Sequence, residues 1–118
     1  MASAHFVVTK SPDLQTARLA VSGEIDMSNS GALEETIADA LMVRSVTTLV
    51  FDLGELTFLD SSGINALLIG YNIAVEQDAT FRVDNPRGIV RRTFIVNGVL
   101  DILIPPHQPD GGTLSVNR

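Results

Sequence analysis

The stretch VTTLVFDLGELTFLDSSGINALLIGYNIAV, residues 46–75, decides the fold of this chain. Residues 46–53 form a nearly continuous apolar run, which is typical of a strand covered on both faces and predicts the central strand of a sheet. A short connection over residues 54–59 follows. Apolar residues then recur at Ile64, Leu67, Leu68, Tyr71, Ala74 and Val75. This spacing predicts an amphipathic helix, so the stretch indicates a strand and a helix of an α/β domain.

The segments before this stretch predict a hairpin and a helix. Residues 5–9 and 16–22 are β-prone and are separated by turn residues at 11–14, which favours two adjacent strands at one side of the sheet. Ser28 is a candidate helix cap. Apolar residues at helical spacing follow it at Leu33, Ile37, Ala40 and Leu41. A first amphipathic helix is therefore expected between the hairpin and the central strand.

The segments after the stretch complete the predicted domain. Residues 80–84 alternate as a fourth strand, Asn85 and Pro86 are typical of a helix start, and Gly98 is placed to end that helix after Asn97. Residues 102–104 predict a short fifth strand. The order of elements predicts a layered α/β domain over residues 1–104, with a mixed β-sheet of about five strands flanked by three or more helices. Residues 105–118 hold three of the five prolines and two of the nine glycines, which predicts a separate C-terminal tail.

The predicted core consists of apolar side chains on the inward period of each element or in the central run. They are Leu19, Val21, Leu33, Ile37, Leu49, Phe51, Leu67, Tyr71, Val83 and Phe94.

Composition narrows the classes of function. The chain has 118 residues, 45% of them hydrophobic, which fits one domain. Its 14 acidic and 8 basic residues give a net charge of −6, which is the wrong sign for a protein that binds nucleic acid. With no cysteine and only two histidines, His5 and His107, neither a metal site nor a cofactor is expected. The longest apolar stretch, residues 64–75, is interrupted and shorter than a membrane span, and the N-terminus lacks a leader pattern. A cytoplasmic protein without a membrane partner is expected.

Polar residues cluster at two junctions, GEID at residues 23–26 and DSSG at residues 60–63. In α/β folds functional groups gather where strands end and helices begin, so Asp26 and Ser61 are expected on one edge of the domain. A serine before a helix ordinarily stabilises it by about 1 kcal/mol as a cap. The doublet allows one serine to cap while the other faces solvent, where a phosphate would add a charge of about −1.5 to −2.

The runs FLDSSGI at residues 58–64 and VSGEID at residues 21–26 together give the sequence a specific resemblance. It resembles the STAS domain of bacterial anti-sigma factor antagonists over residues 5–104. The resemblance implies a sheet flanked by helices, no catalytic activity, phosphorylation of Ser61 by an anti-sigma factor serine kinase, and reversal by a metal-dependent serine phosphatase. The unmodified protein is then expected to bind the kinase and free a sigma factor for transcription. The contact surface would comprise Asp26, Asp60, Ser61, Ser62 and Gly63.

Other readings of the same residues remain open. Catalysis is disfavoured because Ser61 has no histidine nearby in the sequence to act as its base, and no nucleotide-binding glycine motif is present. A receiver-like domain would use Asp52 or Asp60 as an acyl-phosphate acceptor with magnesium, but the acidic cluster expected near the first strand is missing. A STAS scaffold or an accessory subunit of a stress-signalling or transport assembly would keep the fold and change the role.

Charge is segregated along the chain. The span from Glu24 to Asp60 contains eight acidic residues and a single base, Arg44. A partner that approaches the edge formed by Asp26 and Ser61 is expected to complement negative charge.

Overall fold

The computed structural model describes residues 2–104, which contain four strands and four helices. The strands are β1 (Ala4–Lys10), β2 (Thr16–Ile25), β3 (Thr48–Leu59) and β4 (Thr80–Asp84). The helices are α1 (Ser30–Met42), α2 (Ser61–Glu76), α3 (Gly88–Val96) and α4 (Leu100–Leu103). The predicted tail at residues 105–118 lies outside the described residues, so its separation from the domain stays a prediction.

The strands form one mixed sheet in the order β1-β2-β3-β4. β1 and β2 are antiparallel and make the predicted hairpin, whereas β3 runs parallel to both of its neighbours, β2 and β4. Parallel neighbours require a crossover, and the helices α1 and α2 supply the two crossovers. The predicted α/β fold, a mixed sheet flanked by helices, is confirmed, and the apolar run at 46–53 lies in the inner strand β3 from Thr48 onward.

The hydrophobic core lies on the face of the sheet that α1 and α2 cover. Alternate residues of β3 point into it, and Leu49, Phe51 and Leu53 are at most 1% exposed. Nine of the ten predicted core side chains are buried. The tenth, Tyr71, is half-buried and packs edge-on against Phe81, with ring centroids 5.9 Å apart. Helical and strand periodicity therefore located the core correctly.

An ion-pair network joins β2, β3 and β4 on the other face of the sheet. Arg18 Nη2 donates to Asp52 Oδ2 at 3.0 Å, and Arg18 Nη1 lies 3.6 Å from Asp84 Oδ2. Asp52 Oδ1 also accepts from the backbone N–H of Gly54 at 3.0 Å and from Asn85 Nδ2 at 3.1 Å. The Gly54 and Asn85 hydrogen bonds, together with Arg18, lower the pKa of the Asp52 carboxyl.

We expect the free energy of unfolding of Asp52→Asn to be about 1 kcal/mol lower than that of the parent at neutral pH. The substitution replaces the ion pair with Arg18 by a weaker hydrogen bond from Arg18 to an uncharged side chain. A pKa lowered by folding stabilises the protein above the ordinary aspartate value, 3.8, and this contribution is lost as the pH falls through the folded pKa. Urea unfolding at about pH 7 and about pH 3 should therefore show the gap between the two proteins shrinking in acid. A gap that stays constant would contradict the assignment. Asp39→Asn, at an exposed position of α1, is the matched control.

The predicted fifth strand at residues 102–104 is wrong, because Ile102 and Leu103 belong to α4 and Ile104 is the C-cap of that helix. Gly98, at φ +70°, reverses the chain after α3 as predicted. The following backbone then bonds locally, with the N–H groups of Ile102 and Leu103 donating to the Val99 carbonyl at 3.1 and 3.0 Å. This turn places Leu103 in the core at 1% exposure. Three apolar residues in a row do not distinguish a strand from a single helical turn.

Three predicted boundaries also differ from the structure. Residues 54–59 continue β3 as a strand, since β2 remains paired with it through two register shifts. The third helix begins at Gly88 rather than Pro86, because Asn85 adopts φ +62° and bonds to Asp52 instead of capping. The helix α1 begins at Ser30 after Asn29, so Ser28 is not its cap.

Candidate functional site

The carboxyl ends of β2 and β3 meet at one edge of the sheet. Ile25 and Leu59 are register partners, and the backbone N–H of Asp60 donates to the Ile25 carbonyl at 3.2 Å. The loop after β2 and the first turn of α2 therefore begin side by side. The structure brings Asp26 and Ser61 to a common edge, as the order of elements predicted.

Asp60 caps the N-terminus of α2. Its Oδ1 accepts from the Ser62 backbone N–H at 2.9 Å, from Ser62 Oγ at 2.5 Å and from the Gly63 N–H at 3.3 Å. The bond from Ser62 Oγ is at the short end of the range for a hydroxyl that donates to a carboxyl oxygen. Asp60 and Ser62 thus fix the first turn of the helix and leave Ser62 half-buried.

Ser61 is the first residue of α2 and is exposed. Its Oγ makes no side-chain hydrogen bond to any of the residues 2–104, in contrast to Ser62 beside it. The backbone N–H groups of a helix N-terminus favour a negative charge at this position. The site therefore offers one accessible hydroxyl on a rigid turn.

Gly63 is buried beneath this turn, where α2 approaches the ends of β2 and β3. A Cβ at residue 63 would lie 2.2 Å from Leu59 Cδ1 and 2.9 Å from Ile25 Cγ2. Such distances are far below van der Waals contact. Its place in the DSSG run is therefore explained by packing, which holds the exposed serine against the sheet.

The loop after β2 repeats the geometry of the Asp60 turn. Asp26 Oδ1 accepts from the Ser28 backbone N–H at 2.8 Å and from Ser28 Oγ at 2.6 Å, and these two bonds lower the pKa of the Asp26 carboxyl. Asn29 adds further bonds, accepting from the Asp26 N–H and donating to the Glu24 carbonyl, both at 2.9 Å. Met27, between the two bonded residues, is 83% exposed.

Two apolar side chains at this edge, Met27 and Phe58, were not among the predicted site residues. Phe58 is 40% exposed and is the register partner of Glu24. The signal for Met27 was present in the sequence, since Asp-Met-Ser at 26–28 repeats the Asp-Ser-Ser spacing at 60–62. Phe58 gave no such signal, because its exposure depends on which face of β3 is covered.

The alternative chemistries find little support in the described residues. The carboxylate of Asp52, a candidate acyl-phosphate acceptor, already accepts hydrogen bonds from Arg18, Asn85 and the Gly54 N–H. Residues 2–104 contain no group of three or more carboxylate, histidine or cysteine side chains that could hold a metal ion. None of the helices in this range is both long and apolar enough to cross a membrane.

The four-stranded mixed sheet, its two parallel crossovers and the capped serine turn define an α/β domain of the STAS class. A family model described as "Mlab, STAS domain" matches residues 8–105, and the chain belongs to the STAS-domain family. The predicted family resemblance is confirmed.

Solved structures extend the comparison. An anti-sigma factor antagonist from Mycobacterium paratuberculosis is 29% identical, with a TM-score of 0.74 over 86% of this chain and 84% of that chain. The anti-sigma factor antagonist SpoIIAA in its unphosphorylated form is 24% identical, with a TM-score of 0.70 over 80% of this chain and 82% of that one. A murine anion transporter of the Solute Carrier 26 family is 16% identical, with a TM-score of 0.67, and matches 88% of this chain but only 20% of its own.

Proposed function

We propose that this chain is an anti-sigma factor antagonist that regulates transcription by partner switching. The unmodified form binds an anti-sigma factor serine kinase in competition with the sigma factor, which is thereby released. Phosphorylation of Ser61 switches the binding off, and a metal-dependent serine phosphatase restores it. The contact surface comprises Asp26, Asp60, Ser61 and Ser62, with Gly63 supporting it from below.

The observation that carries this proposal is the contrast between the two serines of the turn. Ser62 Oγ is held by Asp60 at 2.5 Å, whereas Ser61 is exposed at the N-terminus of α2. A phosphate on Ser61 meets the positive end of the helix dipole, which offsets part of its repulsion from Asp60. The likeness to anti-sigma factor antagonists, at 29% and 24% identity, supports the same role.

The chemical step is carried out by the partner. Ser61 Oγ attacks the γ-phosphorus of ATP held by the kinase, the O–P bond to ADP breaks, and the serine proton passes to a base of the kinase. Of the two histidines in the chain, His5 lies in β1 as the register partner of Ser22, with β2 between it and β3, and His107 lies outside the described residues. We therefore propose a binding domain without catalytic activity or cofactor, which works in the cytoplasm and has no nucleic-acid or membrane partner.

The test is to incubate the chain with each purified anti-sigma factor kinase of the source organism and with ATP. We expect one kinase to bind the parent and to transfer one phosphate that resists acid and hydroxylamine, as a serine phosphomonoester does. Ser61→Ala should bind that kinase but accept at most about 1% of the parent's phosphate, a loss typical of a removed nucleophile. Ser45→Ala, at an exposed site before β3 and away from the contact surface, is the matched control and should still be modified.

Two outcomes would contradict the site assignment. Phosphate lost to hydroxylamine would indicate an acyl phosphate on Asp60. Full incorporation into Ser61→Ala would move the acceptor to another residue, with Ser62 the first to examine.

A second candidate is a scaffold or accessory role in a stress-signalling or transport assembly. It is favoured by the shared fold of the anion transporter, in which the matching part spans only 20% of the chain. If no kinase binds the parent, and purification of the intact protein instead recovers transport ATPases, this role replaces the first.

A further inference from the structure

The two loops at the Ser61 edge are geometric equivalents. Each begins directly after the paired residues Ile25 and Leu59, and each aspartate binds the residue two positions ahead through both its N–H and its Oγ. The four distances agree within about 0.1 Å between the loops: 2.8 and 2.6 Å for Asp26, and 2.9 and 2.5 Å for Asp60. The middle residue of each loop faces solvent. Met27 therefore occupies the same position within this two-bond pattern as Ser61, although Ser61 opens α2 directly and α1 begins only at Ser30.

Met27 differs from Ser61 in having a large apolar side chain, and this side chain is highly exposed. At 83% it is the most exposed large apolar side chain among the residues that the structure describes. The hydrogen bonds of Asp26 and Asn29 hold its backbone in place, so the side chain is presented from a fixed position. Single exposed apolar side chains are common on protein surfaces. Met27 differs from Met42, which is 75% exposed, because it lies on the loop that begins beside the Ser61 turn.

The surroundings of Met27 specify the chemistry of the partner. Glu24, three residues before Met27 near the end of β2, is exposed, and the carboxylates of Asp26 and Asp60 accept the hydrogen bonds of the two loops. Arg44, the single base between Glu24 and Asp60, follows α1 and lies near the opposite end of the sheet, where β3 begins. The edge thus has an apolar centre within an acidic border.

We infer that Met27 is the anchor that selects the partner, and that it enters an apolar pocket with a cationic border on the anti-sigma factor kinase. This inference rests on the proposed function and adds a specificity residue to it. An unbranched thioether side chain adapts its shape to such a pocket and loses apolar exposure when it binds. The cationic border complements Glu24, Asp26 and Asp60 and orients Ser61 toward the kinase's ATP.

The test uses the purified kinase that phosphorylates the parent chain, with affinity measured by calorimetry and Ser61 phosphorylation measured at steady state. Met27→Ala should weaken binding about tenfold, and Met27→Asp at least about a hundredfold, because the latter places a charge in an apolar pocket. Met27→Leu should remain within about threefold of the parent. KM should rise in parallel while kcat stays unchanged, because Met27 touches neither reacting atom.

Met42→Asp is the matched control, since Met42 is 75% exposed but lies at the C-terminal end of α1, away from Ser61. It should bind and react like the parent. Thermal unfolding of all the variants should match the parent, because neither methionine is packed in the core.

The outcomes separate the two proposals. If the kinase binds and phosphorylates the parent and Met27→Asp equally well, the inference about Met27 is wrong and the proposed function stands. If no kinase binds or phosphorylates the parent, the proposed function fails and the inference falls with it. If Met27→Asp and Met42→Asp weaken kinase binding equally, the inference is also wrong, because the effect would then reflect net charge alone.

Discussion

Ser61→Asp is expected to bind the anti-sigma factor kinase at least about a hundredfold more weakly than the parent. Because Ser61 is exposed at the centre of the proposed contact surface, a carboxylate there must lose its water when the kinase docks. An unpaired buried charge costs several kcal/mol, which corresponds to a factor of a hundred or more. Surface plasmon resonance or calorimetry with the purified kinase measures the loss.

The fold should tolerate the same substitution. The N-terminus of α2 favours an acidic side chain by about 0.3 to 1 kcal/mol, which offsets repulsion from the neighbouring Asp60. Urea unfolding of Ser61→Asp should therefore agree with the parent within about 1 kcal/mol. Ser45→Asp adds the same charge at an exposed site before β3, at the other end of the sheet, and should retain full binding. Kinase binding by Ser61→Asp at the parent's affinity would refute the proposed switch.

The predictions that succeeded share a physical basis, which is a repeating pattern along several turns or strand residues. The run at 46–53 and the helical spacing from Ile64 to Val75 each extend over enough positions to indicate the type of element, and the helical spacing also fixes the inward face of α2. The common edge of Asp26 and Ser61 followed from connection rules, since two consecutive parallel strands lie side by side when a helix joins them. These features depend on the chain's own periodicity, so the sequence was sufficient.

The features that were missed depend on contacts between distant residues. Asn85 was expected to cap a helix, but it donates to Asp52, which lies 33 positions earlier in the chain. Residues 102–104 were expected to form a strand, but the turn at Gly98 directs them back onto the core as a helical turn. Propensity describes a residue's local preference, and tertiary contacts override it where a segment is short.

Two kinds of residue cooperate in the Ser61 turn, and they are separable by experiment. Asp60 and Ser62 fix the turn through hydrogen bonds, whereas Gly63 allows it to rest on the sheet. Ser61 and Met27 are exposed and contribute little to folding. A substitution at Gly63 should therefore change stability first, and one at Ser61 should change only binding.

Gly63→Ala is expected to destabilise the protein by about 3 kcal/mol, at the upper end of the cost of overpacking a core. The new Cβ would lie 2.2 Å from Leu59 Cδ1, and Leu59 and Ile25 are each at most 1% exposed, so neither can move aside without disturbing the core. The relief available is a shift of α2 away from the ends of β2 and β3. Such a shift displaces Ser61 together with the helix, so kinase binding should weaken as well.

Gly31→Ala in α1 provides the matched control, because a Cβ there meets no atom within 4 Å and alanine favours the helix. Urea unfolding should show that Gly31→Ala is as stable as the parent or slightly more stable. The free energy of unfolding of Gly63→Ala should be about 3 kcal/mol lower than that of the parent. Equal stability of the two variants would mean that α2 does not rest on Gly63. Ser61 would then owe its position to the Asp60 and Ser62 hydrogen bonds alone, and Ser62→Ala would become the variant expected to displace it.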